Sequence, residues 1–93
     1  MHAISFELNY EFLDEKHKIA LPTAVKEIER ILGYEGFEMK HLNYFIIKEN
    51  DSIANLNNAI NRLHNLVWFS DSLRTAWAST LINSSNITRN IKD

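Results

Sequence analysis

One carboxylate, Glu7, stands inside the alternating run HAISFELNY, where Ala3, Ser5, Glu7 and Asn9 fall on one side and Ile4, Phe6, Leu8 and Tyr10 on the other. A carboxylate on the polar side of a strand can hold a divalent cation or accept a proton; otherwise it is a solvated or ion-paired surface group. Should two copies of the chain pair through that side, two carboxylates meet, and together they bind a cation such as magnesium or retain one proton at a raised pKa. Further along, WFSDSLRTAWA carries Arg74 just before another strand-like run. A guanidinium there can grip phosphate oxygens, the alternative being an ordinary ion pair. His41 is a candidate second proton carrier.

Other chemistries are excluded by composition. The chain has no cysteine and only two glycines, so thiolate zinc sites, disulfides and most phosphate-cradling loops are ruled out. His2, His17, His41 and His64 show no ligand spacing. The formal charge of −2 is spread along the chain without a basic block, so any nucleic-acid contact must be local rather than a coating of the backbone.

Ninety-three residues make one domain, 1–93, near the lower end of what buries a self-sufficient core. Glu7 sits where an export signal needs an apolar stretch, and no membrane-length apolar run exists, so the expected location is the cytoplasm.

The elements that must position these groups follow from periodicity. Strand 1 covers the first alternating run, and residues 11–21 read as a connector. Pro22 suits the first turn of a helix over 22–33, in which Ala24, Val25, Ile28, Ile31 and Leu32 recur at helical spacing and Gly33 supplies the stop. FEMKH and YFIIK read as strands 2 and 3 of a hairpin, with Asn43 tolerating a left-handed backbone at the turn. Asp51 or Ser52 caps a second helix whose stripe is Ile53, Leu56, Ile60, Leu63 and Val67, ended by Trp68 and Phe69 plugging the core; its asparagines at 55, 57, 58, 61 and 65 read as a solvated face. Residues 74–82 form strand 4, 83–86 a polar break, and Ile87 with Ile91 one stripe of a short C-terminal helix. The expected fold is therefore α+β, ferredoxin-like βαββαβ: a four-stranded antiparallel sheet with two helices on one face and the other face open to a second copy.

These residues in this order resemble the virulence-associated protein D family of small bacterial toxins. The likeness runs nearly end to end and is carried by MHAISFEL, by Gly36-Phe37-Glu38, by Ala59-Ile60-Asn61-x-Leu63, and by Trp68-Phe69-x-x-Ser72-x-Arg74. The resemblance implies a ferredoxin-like homodimer, related to the CRISPR-associated second-subunit family. It implies an endoribonuclease acting on messenger RNA, often the toxin partnered by a small protein antitoxin. It places the functional acid at Glu7. The leading reading is then an RNA phosphodiesterase with Glu7 as proton acceptor or metal ligand, Arg74 on the phosphate and Asn9, Asn43 and Ser72 as RNA contacts. The chain departs from the family in having Glu7 where members commonly carry Asp, and Met39, Lys40, His41, Leu42, Asn43 and Phe45 where members carry a Gly-Ser type hairpin ending in Tyr. Those departures favour a competing reading: a catalytically impaired dimer that binds protein or nucleic acid as a scaffold or antitoxin-like regulator.

Overall fold

The computed structural model describes residues 2–47, 53–80 and 84–92. Strand β1 (His2–Leu8) leads through Asn9 into helix α1 (Tyr10–His17) and then helix α2 (Leu21–Tyr34). A hairpin follows, β2 (Glu38–His41) and β3 (Tyr44–Ile47), and then helices α3 (Ile53–His64) and α4 (Val67–Ser72). Strands β4 (Leu73–Ser79) and β5 (Ser84–Asn86) and helix α5 (Thr88–Lys92) close the described chain.

The five strands form one antiparallel sheet in the order β2-β3-β1-β4-β5. β1 is central, paired on its two edges with β3 and β4, and its alternation buries Ile4, Phe6 and Leu8 while Glu7 is exposed. Phe6 stacks on Phe45 of β3 and meets the edge of Phe69 of α4, with ring centroids 6.1 Å and 5.0 Å apart. Ile28 and Leu32 of α2, Leu56, Ala59 and Leu63 of α3, and Ile91 of α5 complete one hydrophobic cluster on that side of the sheet. Register partners share a face, so Ser5 with Tyr44 and Trp77, and Glu7 with Thr75, lie on the other side. Tyr44 and Trp77 are exposed there.

The α+β antiparallel architecture is as expected, but a four-stranded sheet with two helices is not what forms. The stretch read as a polar break contains β5, which pairs Trp77 with Asn86 and Ser79 with Ser84. The chain after β5 is tied to β4 as well, since the Thr88 hydroxyl of α5 accepts the Ala76 N–H at 2.8 Å. With five strands the ferredoxin-like arrangement is only roughly met. The residues read as a connector form α1, because the Asn9 side chain accepts the Phe12 N–H, Lys18 ends the helix in the left-handed region, and Leu13 is fully buried. The stripe drawn through Val67 is also interrupted: the chain turns after His64, Val67 is exposed, and Trp68 and Phe69 belong to a separate helix, α4. Strand 4 starts one residue earlier than expected, at Leu73. The expected caps Asp51 and Ser52 and the strand residues Leu81 and Ile82 lie outside the described residues.

The helix expected to stop at Gly33 continues to Tyr34, and the positive φ falls instead on Gly36, at 85°. A Cβ at Gly36 would lie 3.1 Å from Ile47 Cδ1, so both the backbone and the space favour glycine where α2 turns into β2. Among the described residues no helix is long and apolar enough to cross a membrane.

Candidate functional site

Strict alternation along β4 would put Arg74 on the same side as Ala76 and Ala78, which are buried against the helices. The ladder with β1 prevents this. Glu7 pairs with Thr75, but the next residue, Leu8, pairs with Leu73, so Arg74 is the extra residue of a β-bulge. The cause is the core: Leu73 is buried opposite Leu8, and satisfying both leucines ejects Arg74 to the surface. There the Arg74 Nη1 lies 3.8 Å from Glu7 Oε1.

Both side chains remain more than half exposed, 57% for Arg74 and 67% for Glu7. An exposed pair at this separation contributes about 0.2–1 kcal/mol to stability. It opens readily to a ligand, offering an anion-binding fork and a proton acceptor side by side at the end of the open sheet face. Thr75 stands opposite Glu7, and Tyr44, paired with Ser5, is Glu7's diagonal neighbour across the sheet. Neither stands out in the sequence alone. The position of Tyr44 follows from the turn at Asn43, since the hairpin register decides which side it takes.

The other expected site residues are placed differently. His41 is exposed on β2 and its ring contact is with Tyr44, at 6.2 Å between centroids. Asn43 has a φ of 62°, accepts the Phe6 N–H at 3.1 Å through its carbonyl, and donates its side-chain amide to the Tyr10 hydroxyl. It therefore ties the hairpin to both β1 and α1. Asn9 caps α1, and its N–H donates to the Ser72 carbonyl at 2.7 Å. Ser72 is 2% exposed and its hydroxyl donates to the Trp68 carbonyl at 2.7 Å, so it packs α4 and presents nothing to a ligand. Of the residues expected to act together, the structure joins Glu7 and Arg74.

Among the described residues no group of three or more His, Asp and Glu side chains could hold a metal ion. Glu7 alone, beside a cationic partner, is a poor donor set for magnesium within one chain.

The chain is similar to a known ribonuclease. It is 29% identical to the Endoribonuclease VapD of Helicobacter pylori (strain ATCC 700392 / 26695), over 99% of this chain and 99% of that protein. The end-to-end match, without a length difference to explain, supports a VapD-like family for this chain. No family model matches it.

Proposed function

We propose that this chain is a VapD-like endoribonuclease that cleaves messenger RNA through Glu7 and Arg74. The observation that carries the reading is the bulge-exposed Glu7–Arg74 pair, in a chain similar throughout to a ribonuclease. Glu7 takes the proton of a ribose 2′-hydroxyl, and the 2′-oxygen attacks the adjacent phosphorus. The phosphorus–O5′ bond breaks, the O5′ takes a proton from water, and the products are a 2′,3′-cyclic phosphate and a 5′-hydroxyl. Arg74 balances the charge that gathers on the phosphoryl oxygens in the transition state. This route needs no metal; a cation shared by two Glu7 carboxylates needs the homodimer.

A homodimer through the open sheet face is part of the proposal, supported by Tyr44 and Trp77 exposed on either side of Ser5. The order of the first four strands, β2-β3-β1-β4, supports a ferredoxin-like ancestry shared with the CRISPR-associated second-subunit family. We further place the protein in the cytoplasm as the toxin of a pair with a small protein antitoxin.

One observation favours the second reading, a catalytically impaired scaffold or antitoxin-like regulator. The Asn43 amide is committed to Tyr10 and the His41 ring meets Tyr44, so the hairpin adds neither of its expected groups to the Glu7 pair. The test is cleavage of a total-RNA pool, with and without magnesium, by wild type, Glu7→Gln and Glu7→Asp, with end-group analysis of the products. The enzyme reading expects cyclic-phosphate ends from wild type and a loss of about 10²–10⁴ in Glu7→Gln with folding intact. Equal cleavage by Glu7→Gln refutes the site. Inert wild type with an active Glu7→Asp establishes the impaired reading.

A further inference from the structure

At the opposite end of β1 from Glu7, roughly 16 Å along the strand, residues of α3, β5, α5, the end of β4 and the start of β1 line a half-open cavity of about 290 Å³. Its floor is apolar, formed by Leu56, Ile60, Ala78 and Ile87. Its rim is polar but uncharged, with Asn57, Asn90, Ser79 and Ser85, and no Lys, Arg, Asp or Glu is among the described residues that line it. Among the described residues those four side chains make no hydrogen bond. The wall also includes His2, whose Nδ1 is a buried side-chain polar atom without a hydrogen-bond partner among the described residues. Buried polar atoms in folded proteins are nearly always paired, so this ring nitrogen at the cavity wall is available to a ligand's polar edge.

The cavity's chemistry is narrow. A site near 300 Å³ is at the small end for ligands and takes one ring system rather than a whole nucleotide. The described lining residues hold no Lys or Arg to pair a phosphate or carboxylate, and a charge desolvated there without a counter-charge is costly. An apolar floor suits the face of a flat ring, while carboxamides at the rim can each donate and accept along its edge, as Asn does against adenine.

We propose that this cavity binds one unpaired nucleobase. The choice of a base over other uncharged heterocycles rests on the RNA reading above. The site is separate from the cleaving pair, so it holds a base some nucleotides away from the bond that breaks, or a free nucleoside. It also gives a use to Asn57, on the helix face that sequence reads as merely solvated.

The test is a methyl and imidazole NMR titration of full-length Glu7→Gln protein, which keeps the cavity and removes cleavage. The probes are adenosine, guanosine, cytidine and uridine, with indole as an apolar ring control and ribose 5-phosphate as a sugar-phosphate control. At least one nucleoside should give saturable shifts at the Ile60, Ala78 and Ile87 methyls and the His2 ring, and ribose 5-phosphate should not. Asn57→Ala and Asn90→Ala, both on exposed helix surface, should each weaken that binding about tenfold, the loss of one neutral hydrogen bond, with unchanged melting. Saturation by no nucleoside overturns the proposal. So does indole binding as tightly as the nucleosides, or ribose 5-phosphate shifting the same methyls. Nucleoside binding together with an absence of ribonuclease activity in wild type would sink the cleavage reading while leaving this site standing.

Discussion

Arg74 reaches Glu7 because it is the residue that the β1–β4 ladder skips: Glu7 pairs with Thr75, Leu8 with Leu73, and Nη1 comes within 3.8 Å of Oε1. The pair is a product of where two leucines must go. Since it is exposed, its removal should affect chemistry far more than folding. Arg74→Met should lower RNA cleavage by about 10²–10³ while changing stability by less than about 1 kcal/mol. Arg74→Lys should retain a fraction of the activity, because a point charge replaces the fork. Parallel cleavage assays and urea unfolding curves measure both; a large stability loss would make the pair structural.

The row Tyr44–Ser5–Trp77 predicts the oligomeric state. Wild type should run at twice the chain mass in light scattering across a dilution series, and Trp77→Glu should shift it to the monomer without unfolding it. A wild-type monomer at micromolar concentration removes any site built from two Glu7 side chains.

Asn43 performs two separable tasks, and substitutions separate them. Asn43→Leu forces a branched side chain into the left-handed region and should cost about 1–2 kcal/mol. Asn43→Gly keeps the turn and loses the amide bond to Tyr10, at about 0.5–1.5 kcal/mol. Tyr10→Phe should match Asn43→Gly, and the double variant should cost little more than either alone, read from urea midpoints.

Glu35 is 7% exposed at the end of α2 and accepts a hydrogen bond from Arg62 Nε at 2.8 Å, while the Arg62 guanidinium lies 5.6 Å from the Tyr34 ring centroid. Arg62→Leu strands a nearly buried carboxylate. Because Arg62 itself is half exposed, the cost should be about 1–3 kcal/mol rather than that of a fully buried pair. Glu35→Gln in the Arg62→Leu background should recover part of it, since a neutral amide tolerates burial better than a carboxylate; no recovery would mean that Arg62 acts through packing on Tyr34.

Arg30, hydrogen-bonded to Glu27 one turn earlier on α2, holds the Glu27 carboxyl below its usual 4.5 and is itself raised in return. A depressed folded-state pKa contributes stability that is present above the unfolded value and lost as pH falls through the folded one. Glu27→Gln should therefore be slightly less stable than wild type above about pH 4.5 and converge with it as pH falls below that value, so that its acid limb is shallower. Thermal melts of both proteins across that range read the difference.

Much of the frame is written locally. The alternation around Glu7 places it opposite Ile4, Phe6 and Leu8, and the spacing of Ala24, Ile28, Ile31 and Leu32 marks the buried stripe of α2. Asn43 at the left-handed turn position and the Ile87–Ile91 stripe are equally local, because a side chain's face depends only on the few residues around it. What sequence does not reveal is settled between distant residues. Helix α1 has one buried residue, Leu13, and rests on its Asn9 cap and its packing against α4, where His17 meets Asp71 at 3.1 Å. Strand β5 is Ser-Ser-Asn, with no apolar pattern, and exists because the edge of β4 offers it a ladder. The bulge is the decisive case. No periodicity in LRTAWAS says that Leu73 rather than Arg74 will stand opposite Leu8; the choice is made when both leucines compete for the same core, and it is that long-range burial which turns a strand arginine outward onto Glu7.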